Sequence, residues 1–160
     1  FFDALGADAL TVNPLMGADA GAPFTRRLDR GVFLLCLTSN AGAADFEKLA
    51  VGGTPLYELV AAKARQWNTA GNIGLVVGAT QAEAFSRLRA LAPELPFLVP
   101  GVGAQGGDLK EAVGQGRDAQ GRGLLINVSR GVLYAAGGPD FAPAARAAAE
   151  RLRADINRCR

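Results

Sequence analysis

Pro96-Phe97-Leu98-Val99-Pro100-Gly101-Val102-Gly103-Ala104-Gln105-Gly106-Gly107-Asp108 and, further along, Gly123-Leu124-Leu125-Ile126-Asn127-Val128-Ser129-Arg130-Gly131 decide how this chain is read. Each is a short apolar run followed at once by a glycine-bearing turn. Runs this short and this continuously apolar predict strands buried on both faces of a parallel sheet. Glycine lets backbone N–H groups come close to an anion, and a planar guanidinium such as that of Arg130 can hold phosphate oxygens in pairs. Two consecutive units of this kind predict a phosphate gripped by loops at one end of the sheet. That is the site expected after the last two strands of a (β/α)8 barrel.

Working outward, Ala9-Leu10-Thr11-Val12, Val32-Phe33-Leu34-Leu35-Cys36-Leu37 and Ile73-Gly74-Leu75-Val76-Val77 are runs of the same type, which makes five predicted strands. Helices are expected between them. Thr54-Pro55 predicts a helix start, with threonine as the cap and proline at the first helical position. Leu56, Leu59, Val60, Ala64 and Trp67 then fall near one face, so Trp67 and the neighbouring Tyr57 read as core packing. Thr80-Gln81-Ala82-Glu83 has the form of a capping box opening a helix through Leu91, which makes Thr80 a helix cap. Asp108 is placed to cap a third helix through about Val113, Gly114–Gly123 reads as a loop, and the alanine-rich tail from Asp140 to Arg158 reads as a final amphipathic helix. Strand, loop and helix in repetition is the grammar of an α/β fold, and residues 1–160 read as one domain without a linker.

An open nucleotide-binding sheet is the competing architecture. Gly101-Val102-Gly103-Ala104-Gln105-Gly106 does have the G-x-G-x-x-G form after a strand, but that strand is the fourth of five. The next one ends in Asn127-Val128-Ser129-Arg130 with no acid to hold a ribose, which argues against a dinucleotide cofactor.

Composition closes several other routes. A formal net charge of +2 with basic and acidic residues interspersed gives no electrostatic footprint for nucleic acid. No apolar stretch is long enough to span a membrane. The start, Phe1-Phe2-Asp3, is no signal peptide, and the natural protein is expected to extend upstream of it. The two cysteines, Cys36 and Cys159, have neither metal nor redox spacing; they read as one buried thiol and one exposed thiol in a reducing compartment. The chain has no histidine, so a histidine-based triad or general base within it is excluded.

Polar residues gather where the predicted strands end: Asn13, then Thr38-Ser39-Asn40, Thr80, Gln105 and Ser129-Arg130. Thr11-Val12-Asn13-Pro14, Leu35–Asn40, Gly53–Glu58, Trp67-Asn68, Gly74–Thr80, Pro100–Asp108 and Asn127–Gly131 occur in one order over about residues 9–135. In this the chain resembles the orotidine 5′-phosphate decarboxylase family, in particular its bacterial, mycobacterial-type subgroup. The resemblance implies an incomplete (β/α)8 TIM barrel, one partial barrel domain over residues 1–160, with strands 4 to 8 present and strands 1 to 3 missing. It implies decarboxylation of orotidine 5′-monophosphate to uridine 5′-monophosphate by a cytoplasmic homodimer with no cofactor, no metal and no partner beyond the small nucleotide. Ser39 then contacts the pyrimidine ring, and Gln105 reaches over the nucleotide between phosphate and base. Arg130 binds the phosphate, with Gly103 and Ser129 in the loops whose amides approach it. Asn13 stands between a substrate contact and an ordinary Asn-Pro turn.

The departure from the family lies in the chemistry. Its Asp-x-Lys-x-x-Asp signature, whose lysine protonates C6 of the ring, is absent. Asp108-Leu109-Lys110 comes nearest, but Val113 stands in the place of the second aspartate. The catalytic Lys and Asp residues are expected upstream of Phe1, so no catalytic residue is assigned within the chain. Taken alone, the chain is expected to fold poorly and to be inactive. Two alternatives stay open: a catalytically dead barrel remnant that binds a phosphorylated ligand, and a magnesium-dependent sugar-phosphate decarboxylase of the same superfamily, acting on a substrate such as 3-keto-gulonate 6-phosphate. Ser39 and Gln105 favour the pyrimidine substrate.

Overall fold

The computed structural model describes residues 1–103 and 107–160. The elements run α1 (Phe2–Leu5), β1 (Ala9–Val12), α2 (Ala18–Thr25), β2 (Gly31–Leu37), α3 (Ala43–Phe46), β3 (Ala50–Val51), β4 (Thr54–Pro55), α4 (Leu56–Trp67) and β5 (Ile73–Val77). They continue with α5 (Ala82–Leu91), β6 (Phe97–Pro100), α6 (Leu109–Gly116), β7 (Leu124–Asn127), α7 (Arg130–Leu133) and α8 (Phe141–Arg158). All five predicted apolar runs are strands. They pair in parallel in the order β1-β2-β5-β6-β7, with Leu10 opposite Val32, Leu34 opposite Leu75, and Leu98 opposite Leu125. None of the described helices is long and apolar enough to cross a membrane.

Burial along the strands differs from the expectation. Only β5 is buried at every position; β2 and β6 alternate, and the edge strands β1 and β7 alternate between half-buried and exposed. The reason is that one face of the sheet carries the helices. Val32, Leu34, Ile73, Leu75, Phe97 and Val99 pack there with Val60, Ala61 and Ala64 of α4, Phe85 and Leu88 of α5, and Ala112 of α6. Tyr57 and Trp67 pack against this core, as their helical positions predict. Phe33, Leu35, Leu98 and Leu125 belong to the opposite face, and Leu125 is 48% exposed.

Two helix starts are corrected. Gly52 and Gly53 both have positive φ, 60° and 85°, and form the two-residue turn of a small antiparallel hairpin between β3 and β4. That hairpin takes Thr54 and Pro55 into a strand, so Thr54 caps nothing and α4 begins one residue later at Leu56 without a side-chain cap. The capping box at Thr80 does not form either; α5 starts at Ala82 after Gln81, again without a side-chain cap. Asp108 does cap its helix, accepting the Glu111 N–H at 3.0 Å. That helix, α6, runs on to Gly116 and shortens the predicted loop.

At the N-terminal end of the strands two polar side chains hold the turns together. Asn72 Nδ2 donates to the carbonyls of Thr25, Arg27 and Arg30 at 3.0–3.1 Å. Arg89 donates to five carbonyls, those of Gly116, Ala92, Pro93, Leu95 and Gly123, with its guanidinium carbon 3.8 Å from the centre of the Phe97 ring. Both anchors lie away from the strand ends that carry the candidate site.

Candidate functional site

The turns after β6 and β7 meet as the sequence predicts. Pro100, Gly101 and Val102 face Asn127, Val128, Ser129 and Arg130 across a pocket of about 210 Å³. The first of these turns is folded back on its own strand. The Gly107 N–H donates to the Gly101 carbonyl at 3.2 Å, the Gly103 N–H to the Gly107 carbonyl at 3.3 Å, and the Ala79 N–H to the Pro100 carbonyl at 2.8 Å. Gly101 and Gly103, at φ 93° and 73°, occupy backbone conformations that favour glycine. Gln105 lies outside the described residues.

Arg130 is the first residue of α7; it is exposed and makes no ion pair among the described residues. Its charge is therefore available to an anion in the pocket it lines, and the first N–H groups of α7 lie outside the intrahelical ladder. Ser129 Oγ lies 3.5 Å from Asn127 Oδ1. Asn127 is a pocket residue that the sequence reading did not single out. The signal was available, because period-2 alternation from the exposed Leu125 puts the last residue of β7 on the same face.

The second cluster lies at the ends of β2 and β5. The Thr38 N–H donates to Glu47 Oε2 at 2.7 Å, and Thr38 Oγ1 is 3.0 Å from both Glu47 carboxylate oxygens. Gln81 is buried, and its Nε2 donates to the Thr38 carbonyl at 2.9 Å. Thr80 is no helix cap: its Oγ1 donates to the Ser39 carbonyl at 3.0 Å, which removes the hydroxyl from the start of α5. Gly78 is held by its own N–H on the Leu37 carbonyl at 2.7 Å, and a Cβ there would lie 2.5–2.7 Å from the N, Cα and Cβ of Ser39. Only a glycine allows that approach. Glu47, Thr80, Gln81 and Gly78 thus surround the candidate ring-binding serine, and sequence spacing gave no sign of Glu47.

Asn13 stays apart from the Arg130 pocket. Its Oδ1 accepts the Leu15 N–H at 3.0 Å and caps the 3-10 turn Pro14–Met16, as an Asn-Pro turn would. It lines a roomier groove of about 440 Å³ between α2 and the end of α4, built mainly of small residues and Trp67. Cys36 is buried with its thiol on the Tyr57 carbonyl at 3.2 Å, and burial, with Glu47 nearby, pushes its pKa up. Cys159 is half-buried rather than exposed. Asp108 and Lys110 lie in the cap and first turn of α6 while Val113 is buried, so the near match to a catalytic signature is only a helix start.

Residues 1–147 match the family model described as Orotidine 5'-phosphate decarboxylase / HUMPS family. The chain belongs to this family. An orotidine 5'-phosphate decarboxylase of Azoarcus sp. (strain BH72) is 55% identical over 157 residues, covering 98% of this chain and 58% of that relative. One of Cellvibrio japonicus (strain Ueda107) matches with the same identity and coverage. Among solved structures, Leishmania donovani OMP decarboxylase is 48% identical with a TM-score of 0.89, covering 99% of this chain and 59% of its own. Leishmania donovani UMP synthase is 52% identical with a TM-score of 0.91, covering 98% of this chain and 34% of its own. The chain therefore has the α/β parallel-sheet fold of these structures and spans 58% of the length of the first two relatives.

Proposed function

We propose that this chain forms the phosphate- and base-binding part of an orotidine 5′-phosphate decarboxylase, which removes carbon dioxide from orotidine 5′-monophosphate to give uridine 5′-monophosphate. The observation that carries the reading is the pairing of two unlike sites along one end of the sheet. An arginine with no ion pair among the described residues lies with glycine-bearing turns after β6 and β7, and a rigidly held serine loop lies after β2. In the order β2-β5-β6-β7 the two are three strand spacings apart, at most about 14 Å. That separation suits a ligand with a phosphate at one end and a ring at the other.

In this reading Arg130 holds the phosphate with Ser129 and Gly103 in the flanking turns, Gln105 bridges phosphate and base, and Ser39 meets the pyrimidine. Asn13 stands at the rim. Binding energy gathered at the phosphate, remote from the reacting carbon, is spent on closure and on lowering the barrier to decarboxylation. The proton donor and its carboxylates are assigned to strands that this chain does not contain.

The five strands are strands 4 to 8 of a (β/α)8 barrel, and residues 1–160 are one partial barrel domain. A parallel sheet is normally covered on both faces. Here the helices of the described core pack on the face bearing Val32, Leu34, Leu75 and Phe97. Phe33, Leu35, Leu98 and Leu125 on the other face are only partly covered or exposed, which suits the inner wall of an opened barrel. The same reading includes membership of the mycobacterial-type subgroup, a cytoplasmic location and a homodimer, with the nucleotide as the small-molecule ligand. Exposed Phe46, Leu49 and Val51 near the Ser39 loop give the homodimer apolar surface to use.

Calorimetric titration of the complete barrel that contains this chain, with uridine 5′-monophosphate and with uridine, tests the reading. The phosphorylated ligand is expected to bind at least tenfold more tightly, and Arg130→Ala to remove most of that preference. Equal affinity for the two ligands, or a preference that survives Arg130→Ala, would overturn the phosphate assignment.

A further inference from the structure

The Thr38-Ser39 segment is gripped from three directions. Glu47 takes the Thr38 N–H at 2.7 Å and the Thr38 hydroxyl at 3.0 Å. Gln81 takes the Thr38 carbonyl, and Thr80 the Ser39 carbonyl. Behind them, the main-chain carbonyl of Glu47 accepts the Tyr57 N–H at 2.9 Å and that of Leu49 accepts the Leu56 N–H at 2.9 Å, so Glu47 is tied to the start of α4. Gln81 is one of two polar or charged residues buried in the described chain. Burying an amide costs free energy unless it is hydrogen-bonded, and here its donor goes to the loop carbonyl rather than to its own helix.

A trans peptide unit is planar, with its carbonyl and N–H pointing opposite ways. Fixing the Thr38 carbonyl therefore fixes the direction of the Ser39 N–H, and fixing the Ser39 carbonyl fixes that of the Asn40 N–H. Gly78, against the Ser39 backbone, blocks the remaining direction of retreat.

We infer that Glu47, Gln81 and Thr80 are positioning residues that aim the Ser39 backbone at the in-plane polar edge of a pyrimidine ring. The inference rests on the nucleotide reading above and deepens it. These side chains touch the loop rather than the ligand, and they set discrimination for the ring without contributing to phosphate affinity. Aiming a donor before the ligand arrives avoids the ordering cost of a loose loop, so the whole effect falls on the base end of the molecule.

The test compares uridine 5′-monophosphate with ribose 5-phosphate, which carries the phosphate but no base, by calorimetric titration of the complete barrel that contains this chain. Glu47→Ala and Gln81→Leu are expected to weaken the nucleotide about tenfold and to leave ribose 5-phosphate within about twofold. Glu47→Gln, whose amide can still accept the Thr38 N–H and donate to the Thr38 hydroxyl oxygen, is expected to restore most of the lost affinity. Thr38→Val keeps shape and removes only the hydroxyl, so it reports on the clamp where a larger change disturbs folding; a loss of about threefold for the nucleotide alone is expected. Unchanged nucleotide affinity in Glu47→Ala and Gln81→Leu, or equal losses for both ligands, would overturn the inference while leaving the nucleotide reading standing. A complete wild-type barrel that binds neither ligand would remove both.

Discussion

Replacing Arg89 by methionine tests whether the lower end of the sheet is held by one side chain. The guanidinium donates its shortest bonds, 2.7 and 2.8 Å, to the carbonyls of Leu95 and Gly116, and longer ones of 3.2–3.3 Å to Ala92, Pro93 and Gly123. It also lies 3.8 Å from the centre of the Phe97 ring, itself fully buried beside Phe85. Burial draws the Arg89 pKa down, opposed by Asp118 and Glu94, so part of the gain is offset by desolvation. The two short bonds contribute about 1 kcal/mol each, the ring contact about 0.5–1 kcal/mol, and the three long bonds little. Methionine keeps most of the apolar stem, so the expected loss is about 3 kcal/mol, or roughly 6–12 °C in melting temperature for a domain of this size. Arg89→Lys is expected to lose nearly as much, because an ammonium cannot span carbonyls contributed by three separate segments. Urea unfolding followed by circular dichroism reads both variants. A midpoint within 0.2 M of wild type, with unchanged slope, would refute the assignment.

Other perturbations separate the site from its scaffold. Gly78→Ala puts a methyl group 2.5–2.6 Å from the Ser39 backbone, so a loss of about 1–3 kcal/mol in stability is expected; nucleotide affinity should fall further than ribose 5-phosphate affinity, and equal falls would count against the Ser39 assignment. Asp118 accepts the N–H groups of Arg122 and Gln120 at 2.7 and 2.9 Å, and the Arg122 bond first of all holds its carboxyl below the usual range. A depressed native pKa stabilises above the unfolded value near 4 and is lost as pH falls through the native one, so wild type should lose stability relative to Asp118→Asn below about pH 4; parallel pH profiles would exclude the effect. The raised pKa and burial of Cys36 predict that a thiol reagent modifies only Cys159 in the native chain and both cysteines in denaturant. Mass spectrometry of the modified peptides decides this, and rapid native labelling of Cys36 would contradict the packing described.

The strands were legible because five short apolar runs, bounded by glycine and polar residues, admit little else. The place of Arg130 beside the turn after β6 was legible for the same reason, since strand, turn and cation follow one another directly. The helix starts were misread where a local signal had a stronger competitor. The Gly52-Gly53 pair supplies the turn of a hairpin and so takes Thr54 and Pro55 away from α4. The hydroxyl of Thr80 finds the carbonyl of Ser39, 41 residues away in sequence, rather than an amide of its own helix. Glu47 was invisible for a related reason: nothing in Ala43–Leu49 shows that its carboxylate will meet Thr38 until the hairpin folds back. One-sided covering of the sheet was equally hidden, because a continuously apolar run looks the same whether its second face meets helices or the interior of a barrel.

That hidden half is what gives the two site clusters a common logic. Both sit on the edge where all five strands end, yet they are built differently. The Arg130 pocket relies on backbone that glycine lets come close and on one exposed charge. The Ser39 loop relies on side chains from the turn after β5 and from the segment before β3, which leave its backbone little freedom. A phosphate is a strong, nearly symmetric anion and tolerates an adaptable grip, whereas a ring edge is read by the direction of single hydrogen bonds. Under the proposed nucleotide reading, rigidity at the Ser39 loop and an open cationic pocket at Arg130 are the division of labour that a nucleotide monophosphate demands. A plain sugar phosphate would have no use for the clamp. If Glu47→Ala left ring discrimination intact, that division would fail, and the Thr38–Glu47 contact would be reduced to a fastening of the β3–β4 hairpin.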